Sequence, residues 1–274
     1  MESKNKLCIF KRKQMKAIKF VNTIERRKSI LEYAVQEKSV QVDDLAKKFG
    51  VSTVTIRSDL ELLDHKNLLV RTHGGAMLGN KLSRELSFDE RKRSHNAVKQ
   101  KIAIIVRQLI NEGDAIILDS GSTTTEVAAL LKDIGDLTVM TNGLSVAQNL
   151  VDAKGVNVHM TGGKLRQKSQ SFYGQVAEEN LKRYHFDKVI LGVDGFDVKV
   201  GVTTHFEQEA NLNRVMCDIA DQKIVTTDSS KFDRSSVYKI LNTQDIDILV
   251  TDNKLTDHCA QALERDGVKI MIAN

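Results

Sequence analysis

The sequence predicts a two-part α/β protein, in which an N-terminal winged helix-turn-helix precedes a C-terminal domain built on a parallel sheet. A helical pattern, a Gly-Val turn and a second helical pattern fall between residues 23 and 66. From residue 111 onward, short apolar runs alternate with amphipathic segments, as in parallel α/β sheets. The charge is also divided unevenly between these two parts of the chain.

Positive and negative residues are segregated along the 274 residues, which carry a formal net charge of +5. The net charge is +8 over residues 1–28, −1 over 29–80, +4 over 81–101 and −6 over 102–274. A basic N-terminal third followed by an acidic remainder of the chain indicates a polyanionic partner such as nucleic acid. The alternative is a solvated tail that only aids solubility. We treat residues 1–22 as a basic N-terminal extension.

Composition argues against several other classes of protein. The three cysteines, Cys8, Cys217 and Cys259, show no C-x-x-C spacing, so we expect reduced thiols and no metal site. No apolar run approaches the ~18–20 residues that span a bilayer. The basic N-terminus lacks the apolar segment and cleavage site of a signal peptide. We therefore expect a cytoplasmic protein with no membrane partner. Proline is absent, so glycine, Asn and Asp must make the turns.

Residues 23–79 are predicted to form the winged helix-turn-helix, beginning with a helix at Thr23. Residues 40–42 follow as a short extended segment. Asp43 is expected to cap the next helix, which ends at Gly50, a residue suited to the left-handed conformation.

The second helix of the motif is expected to span residues 52–66, with Ser52 as its cap. Its candidates for the buried side are Val54, Ile56, Leu60 and Leu63. Asn67 then stands where a left-handed residue is convenient. Residues 68–78 are predicted to form a β-hairpin wing, in which a glycine pair supplies the tight turn.

In a helix-turn-helix, the start of the second helix enters the major groove of DNA. Hydroxyl groups there can reach phosphates or base edges, and an arginine can pair bidentately with guanine or with phosphate. The candidate DNA-binding residues are Ser52, Thr53, Thr55, Ile56 and Arg57 on the helix and Arg71 and His73 on the wing. The alternative is a plain three-helix module for protein contact.

Residues 80–101 are polar, basic and rich in helix-forming residues. We interpret this stretch as a solvated linker helix between the two parts, which leads into a further helix through IAIIVRQLI. An additional contact with the DNA backbone is the alternative.

Residues 102–274 are expected to form a single α/β domain. The predicted strands are AIILDS, LTVMTN, VNVHMTGG, KVILGVD, IVTTDSS, IDILVTDN and VKIMIAN. The predicted helices between them are TTTEVAALLKD, LSVAQNLVDA, VAEENLKRYH and EANLNRVMCDIA. The carboxyl ends of such strands line the ligand crevice of open α/β sheets.

Polar and glycine motifs follow five of these strands. The first, residues 119–124, can hold a phosphate with the amides and hydroxyls of a helix N-terminus. It matches neither a Walker A loop nor G-x-G-x-x-G, so we expect no dinucleotide cofactor. One such motif is often only a turn, whereas five together predict a site for an anionic small molecule. The candidate residues are Asp119, Ser120, Gly121, Ser122, Thr123, Thr124, Thr141, Asn142, Gly143, Gly162, Gly163, Arg166, Asp194 and Lys231, with Lys231 and Arg166 as charge partners.

The stretch STVTIRSDLELLDHKNLLVRTHGGA resembles the winged-helix region of DeoR-type bacterial repressors, whose pattern is V-S-x-x-T-I-R-x-D-L followed by G-x-L-x-R-x-H-G-G-A. Asn67 replaces the usual glycine and tolerates the same conformation. The resemblance continues through DSGSTTTE, MTNG, MTGGKLRQKSQSFYG, LGVDGFD and TDSSKF, and so covers residues 23–274. Within the family, QSFYG, YHFD, LNRVMCDIA and TDSSKFDRSS are most similar to repressors of N-acetylgalactosamine and galactosamine catabolic genes.

The resemblance implies that the second part is a sensor domain similar to ribose-5-phosphate isomerase and aminosugar-phosphate isomerases. Asp194 and Asp197 fall on the acidic positions of the isomerase, but Gly195 replaces its intervening glutamate. The glycine-rich segment with a catalytic lysine is not evident. Glu207 and Glu209 remain able to act as bases or to bind sugar hydroxyls, and Glu209 joins the candidate effector-binding residues.

The resemblance therefore implies a DNA-binding repressor of amino-sugar catabolism genes, regulated by a phosphorylated sugar, that is no enzyme and has no catalytic residue. It also implies a homodimer or homotetramer. The alternatives are a sugar-phosphate isomerase with an appended DNA-binding domain, and a non-enzymatic interaction module.

Overall fold

The computed structural model describes residues 22–37, 39–65, 68–72, 74–77 and 85–274. These fall into two compact units, Met1–Asn80 and Lys81–Asn274, and each is described by itself. Of the features predicted from the sequence, residues 1–21 of the extension, Asn67, His73 and residues 80–84 of the linker lie outside the described residues.

The first unit combines three helices with a three-stranded sheet, as the sequence predicts for a winged helix-turn-helix. The helices are α1 (Thr23–Glu37), α2 (Val42–Phe49) and α3 (Thr53–His65). The strands are β1 (Ser39–Gln41), β2 (Val70–Thr72) and β3 (Gly75–Met77). Strands β2 and β3 pair antiparallel as the wing, and β1 adds to the other edge of β3.

The turn between α2 and α3 has the predicted end signals. Gly50 ends α2 in the left-handed conformation, with φ +64°. The Ser52 hydroxyl accepts a hydrogen bond from the Thr55 amide at 3.1 Å and so caps α3. The cap predicted for α2 is wrong, because that helix already begins at Val42 and has no side-chain cap. Asp43 instead lies in the first turn of α2, where its negative charge interacts favourably with the helix dipole.

The core of the first unit is closed by the inner face of α3. Ile56, Leu60 and Leu63 are buried against Ile30 of α1 and Leu45 of α2. The expectation that Val54 joins this core is wrong, because 70% of its surface is exposed. Ile56, by contrast, is fully buried. The two differ because residues two positions apart point to different sides of a helix.

The second unit is organised around one large sheet. Its helices are α4 (Phe88–Arg93), α5 (Asn96–Arg107), α6 (Ser122–Ala129), α7 (Leu144–Leu150), α8 (Gln175–Leu181), α9 (Glu207–Asp218) and α10 (Asp257–Arg265). Its strands are β4 (Ala115–Leu118), β5 (Leu137–Thr141), β6 (Val156–Met160), β7 (Lys164–Arg166), β8 (Ser171–Tyr173), β9 (Phe186–Gly192), β10 (Gly195–Asp197), β11 (Gly201–Thr204), β12 (Ala220–Thr226), β13 (Tyr238–Leu241), β14 (Ile248–Asp252) and β15 (Lys269–Ala273).

Seven of these strands form the predicted parallel sheet, in the order β15-β14-β12-β9-β4-β5-β6. The chain builds outward from β4 to β5 and β6. It then returns to β9 on the other side of β4 and builds outward again. The strand order therefore reverses between β4 and β9, and the loops after these two strands diverge there. Such a reversal opens the crevice in which α/β proteins bind ligands.

The sheet is apolar on both faces, as expected when helices cover a parallel sheet on both sides. Ile117 and Val189 belong to one core cluster, whereas their neighbours Ile116 and Ile190 belong to the other. This alternation places successive side chains on opposite faces of the sheet. The uninterrupted apolar runs in the sequence follow directly from this arrangement.

The remainder of the predicted linker is not one solvated helix. It forms two helices, α4 and α5, which are separated by Ser94 and His95, and both belong to the second unit. Ser87 caps α4 in a capping box with Glu90. Phe88 and Lys99 are 4% exposed, so this segment contributes to the packing of the unit.

Two small antiparallel sheets were not predicted from the sequence. Strands β7 and β8 form a hairpin, and β10, β11 and β13 form a three-stranded sheet. No helix in the described ranges is both long and apolar enough to cross a membrane.

Candidate functional sites

The outer face of α3 carries a stripe of exposed side chains. Val54, Arg57, Ser58 and Glu61 are exposed and are spaced three, four and seven residues apart along the helix. That spacing places them on one face. The stripe lies opposite the buried Ile56, so α3 offers one polar face with a single apolar group at its N-terminal end.

Two of the predicted DNA-binding hydroxyls also build the start of α3. The Ser52 hydroxyl lies 2.9 Å from the Thr55 hydroxyl, in addition to its capping bond with the Thr55 amide. Ser52 is exposed, and Thr53 and Thr55 are half-buried. The Arg57 side chain is exposed on the stripe.

The other predicted DNA-binding residues are placed differently. The prediction for Ile56 is wrong, because its side chain is 0% exposed in the core and cannot reach DNA. Arg71 on β2 donates a hydrogen bond from Nη1 to the Arg57 backbone carbonyl at 3.2 Å, which ties the wing to α3. The position of His73 is outside the described residues.

A buried ion pair fixes α3 against α1. The Asp59 carboxylate, whose side chain is 1% exposed, accepts bonds from Arg26 Nε at 2.5 Å and Arg27 Nε at 2.7 Å. This contact sets the orientation of the helix that carries the exposed stripe. This ion pair was not predicted from the sequence, although Asp59 lies at the spacing of the buried face of α3.

In the second unit, residues 119–124 form the loop after β4, at the reversal of the strand order. The Asp119 amide donates to the Ile190 carbonyl of β9 at 3.1 Å. The Thr124 hydroxyl accepts from the Gly121 amide at 2.8 Å and donates to the Asp119 carbonyl at 2.5 Å. Thr124 therefore holds the loop in shape. Ser120 is half-buried, and Ser122 and Thr123 are 7% and 8% exposed in the first turn of α6.

The loop after β5 is joined to this first loop. Asn142 Nδ2 donates to the Ser120 hydroxyl at 3.3 Å and to the Phe172 carbonyl of β8 at 3.4 Å. Asn142 Oδ1 is buried and has no hydrogen-bond partner among the described residues. The Thr141 hydroxyl accepts from the Gly143 amide at 3.0 Å, which fixes the turn.

Asp194 follows β9, on the other side of the reversal, and is paired with Arg91 of α4. Arg91 Nη1 lies 3.3 Å from Asp194 Oδ1, and the Thr204 hydroxyl donates to Oδ2 at 2.9 Å. Burial alone would raise the pKa of Asp194, but the positive charges of Arg91 and Lys231 lower it to about 2. Asp194 is therefore a carboxylate at neutral pH.

Lys231 ends the short 3₁₀ turn Ser229–Lys231 that follows β12. Burial lowers its pKa, while the nearby charges of Asp194 and Asp228 act in the opposite direction. The positive charges of Arg91 and Lys231 thus both act on the end of β9.

Glu209, at the start of α9, is the centre of a second polar group. Its Oε1 accepts from the Ser169 and Ser171 hydroxyls at 2.5 and 2.7 Å and lies 3.6 Å from Arg166 Nη1. Arg166 in turn makes a bidentate ion pair with Glu85, just before α4. The predicted charge partner Arg166 is therefore already neutralised by two carboxylates.

The carboxyl group of Asp119, at the end of β4, has a raised pKa. Burial and then the negative charge of Glu209 raise the pKa of Asp119 to about 7. The carboxyl group is therefore divided between its neutral and charged forms near neutral pH. A neutral carboxyl can donate a hydrogen bond to a ligand oxygen.

Residues 119–124, 141–143, Asp194 and Lys231 follow four neighbouring strands around the reversal. Arg166 and Glu209 belong to the second polar group, and two further predicted residues lie further away. Gly162 and Gly163 follow β6, which is the edge strand beyond β5, and Gly163 packs against the Tyr173 carbonyl. No group of three or more His, Cys, Asp or Glu residues in the described ranges is arranged to hold a metal ion. Neither Arg91 nor Thr204 was predicted from the sequence. The S-x-x-E capping box at Ser87 was the signal that could have located α4.

Two protein families match the chain in the order of its two units. The DeoR-like helix-turn-helix domain matches residues 26–81, and the DeoR C terminal sensor domain matches residues 94–253. Among solved structures, a D-ribose-5-phosphate isomerase in complex with phospho-erythronic acid matches with a TM-score of 0.38 and 16% identity, over 50% of this chain and 54% of that one.

Several relatives align over nearly their whole length. The chain is 46% identical to the putative aga operon transcriptional repressor of Escherichia coli O157:H7, over 91% of this chain and 94% of the relative. It is 33% identical to the transcriptional repressor GlcR of Bacillus subtilis, over 90% and 95% of the two chains. It is 31% identical to the L-fucose operon activator of Haemophilus influenzae, over 90% and 99%. By both family matches and by these alignments, the chain belongs to the DeoR family, as the resemblance of its winged-helix and strand-end motifs implied.

Proposed function

We propose that this protein is a DNA-binding transcriptional repressor of amino-sugar catabolism genes whose affinity for its operator is set by a phosphorylated sugar. The observation that carries this proposal is the pairing, in one chain, of an exposed helix-turn-helix face with a polar crevice at a reversal of strand order. The similarity to a putative aga operon repressor supports galactosamine or N-acetylgalactosamine phosphate as the effector class.

In this proposal the two units divide the work. Residues 23–79 bind the operator through Ser52, Thr53, Thr55 and Arg57 on α3, with Arg71 and His73 on the wing. The second unit, Lys81–Asn274, binds the effector, and its first residues, up to 101, also link it along the chain to the winged helix. The amides and hydroxyls of residues 120–123 surround the phosphate, while Asp119, Asn142 and Glu209 contact sugar hydroxyls. A homodimer or homotetramer would present paired winged helices to paired half-sites.

The proposal includes binding without turnover. Asp194 is held by Arg91 and Thr204, and glycine stands beside it at position 195. Incubation with ribose 5-phosphate and with galactosamine 6-phosphate tests this directly. We expect no isomerised or deaminated product, and turnover above a heat-inactivated control would contradict the proposal.

The decisive experiment measures DNA binding with and without effector. An operator is selected from random DNA with the full chain, and its affinity is measured by fluorescence anisotropy at moderate salt. We expect selective binding over a scrambled duplex, and an affinity that changes at least tenfold with an amino-sugar phosphate but not with the unphosphorylated sugar. Because one relative is named an activator, the sign of the change is part of the measurement. Absence of sequence-selective binding would refute the proposal.

A further inference from the structure

Arg91 of α4 is a half-buried arginine with an unusual set of contacts. Its side chain is 15% exposed, and only Nη1 contacts a carboxylate, Asp194, at 3.3 Å. Nε and Nη2 are buried and have no hydrogen-bond partner among the described residues. A buried donor without a partner is costly, and such groups in folded proteins need an explanation.

The two unpartnered nitrogens form one edge of the guanidinium group. The N–H bonds of Nε and Nη2 point in parallel, which is the geometry that binds two oxygens of a phosphate or carboxylate at once. Asp194 cannot satisfy this edge as it stands, because its Oδ1 contacts Nη1 and its Oδ2 accepts from Thr204. Within the described ranges, this edge is therefore a complete bidentate donor without an acceptor.

The electrostatics beside Arg91 also suit an anion. Lys231 lies close enough for its charge to lower the pKa of Asp194, which is the partner of Arg91, and the pKa of Lys99. Lys99 Nζ donates to the Arg91 carbonyl and to the Ser94 carbonyl, the latter at 2.5 Å, and so closes the C-terminal end of α4. The cations thus come from three segments, α4, α5 and the turn after β12.

We propose that the Nε and Nη2 edge of Arg91 binds the phosphate of the effector, and that α4 is thereby the helix that responds to the ligand. This inference rests on the proposed function and adds to it a residue from outside the strand-end loops. Sugar phosphates and inorganic phosphate share the required pair of acceptor oxygens, so the experiment must separate them.

The position of α4 gives this contact a regulatory consequence. The helix is held by the Ser87 cap, by the Phe88 amide bonded to the Lys168 carbonyl at 2.8 Å, and by the Glu85 pair with Arg166. It is also the first described element after the wing strand β3 in the sequence. A ligand that draws Arg91 from Asp194 would therefore shift α4 itself, the element that carries the arginine.

The test compares Arg91→Gln and Arg91→Lys with Arg93→Gln in the full-length protein. Arg93 is exposed on the same helix, so its substitution removes the same charge without touching the crevice. Calorimetry measures the binding of galactosamine 6-phosphate, galactosamine and inorganic phosphate, after a panel of hexosamine and pentose phosphates has identified the strongest ligand. Operator affinity without effector and the melting temperature report whether each variant is folded.

We expect Arg91→Gln to weaken binding of the phosphorylated sugar at least tenfold and to abolish its effect on DNA binding. Arg91→Lys should fall between that variant and wild type, because it keeps the charge but loses the bidentate edge. Arg93→Gln should match wild type. Inorganic phosphate should compete weakly with the sugar phosphate for binding to the wild-type protein. It should not compete for binding to Arg91→Gln.

Effector binding by Arg91→Gln within twofold of wild type would overturn this inference and leave the proposed function intact. If wild type binds operator but no member of the phosphate panel, the effector proposal and this inference both fall. If Arg91→Gln unfolds, Arg91→Lys decides the matter, since wild-type affinity in that variant would exclude a bidentate contact.

Discussion

Asp59 joins α1 to α3, the helix that carries the exposed stripe, and its side chain is buried. Removing one partner of a buried ion pair leaves an uncompensated charge and typically costs ~3–5 kcal/mol. We therefore expect Asp59→Ala to destabilise the first unit by about this amount, because Arg26, 8% exposed, would lose its partner. Hydrogen exchange of α1 and α3 measures the change.

Glu61→Ala supplies the matched control for this prediction. It removes the same kind of charge from the same helix, but Glu61 is exposed. Surface substitutions of this kind usually change stability by less than ~0.5 kcal/mol. Equal losses of protection in the two variants would show that the ion pair contributes nothing beyond the charge of α3.

Val54 is the single large apolar side chain on the exposed stripe of α3, at 70% exposure. The apolar group that DNA presents in the major groove is the methyl of thymine. We expect one thymine of the operator to contact Val54, so that replacing that thymine with uracil weakens binding severalfold. Anisotropy with singly substituted operators locates the position.

Combining Val54→Ala with the uracil substitution in a double-mutant cycle tests whether Val54 makes the methyl contact. In that variant the same uracil substitution should have no further effect, because the methyl contact is already lost. Thr53→Ala is the control, since it shortens a neighbouring side chain without removing the apolar group. If no uracil substitution depends on Val54, the stripe recognises DNA by its polar groups alone.

Asp119 predicts a pH dependence of effector binding. Its pKa of about 7, raised by burial and by Glu209, means that the carboxyl is mostly protonated at pH 6 and mostly ionised at pH 8. The ionised form repels an anionic ligand, so affinity for the sugar phosphate should fall as the pH rises through 7. Calorimetry at several pH values measures the change, with Asp119→Asn as reference.

The reference is needed because the phosphate group of the ligand also titrates near pH ~6. That titration is common to both proteins and cancels in the ratio of their affinities. The ratio should change between pH 6 and 8. A ratio that stays constant would show that Asp119 does not exchange a proton in this range.

At the scale of single elements, the wing depends on the absence of a side chain at Gly75. A Cβ at this position would lie 2.1 Å from the Val40 carbonyl oxygen, within the β1–β3 pairing. Gly75→Ala should therefore separate β1 from β3 and displace Arg71, whose Nη1 contacts α3. We expect at least a tenfold loss of operator affinity while effector binding in the second unit is unchanged.

Met77→Ala, an exposed position at the end of the same strand, is the control for the wing. It should bind operator like wild type. Wild-type affinity in Gly75→Ala would show that the wing makes no contribution, whereas loss of effector binding as well would indicate general misfolding.

Elements with local signals could be predicted from the sequence. Gly50 and Ser52 are a helix stop and a helix cap that act within a few residues, so the turn between α2 and α3 was correctly located. Val54 was misplaced because apolar character alone cannot distinguish a core position from an apolar contact surface. Ile56 was misplaced among the DNA contacts because it lies between polar residues that are exposed.

Elements that depend on distant contacts were not predictable in this way. Strands β10, β11 and β13 have only three or four residues each, too few for a periodic pattern. Arg91 lies in a basic, polar stretch that is typical of a solvated linker, and its burial follows from the docking of Phe88 and from Asp194, over a hundred residues away. No local pattern records either contact.

At the scale of the whole molecule, the parallel sheet was predictable but its strand order was not. Alternating strands and helices imply parallel pairing. The return of the chain from β6 to β9, however, depends on contacts between residues that are distant in the sequence. This return places β4 beside β9, so that the loops after the two strands border one crevice. The division of charge, +8 over residues 1–28 and −6 over 102–274, is consistent with an anionic partner for the front of the chain.

A regulator of this kind must couple its two ligands reciprocally. If the effector changes operator affinity by some factor, the operator must change effector affinity by the same factor, because both measure one coupling free energy. For a coupling of ~1–3 kcal/mol, the factor is about 5–150. We expect titration of sugar phosphate with and without operator, and of operator with and without sugar phosphate, to give equal ratios.

Equal ratios follow from thermodynamics for any coupled protein, so variants of the second unit are needed to show which residues carry the coupling. Arg91→Gln should bring both ratios to one while operator affinity without effector stays at the wild-type value. Arg93→Gln should retain both ratios. If Arg91→Gln kept a coupling ratio while effector affinity fell, α4 would be a binding element only, and the signal to the winged helix would have to leave the crevice through another element.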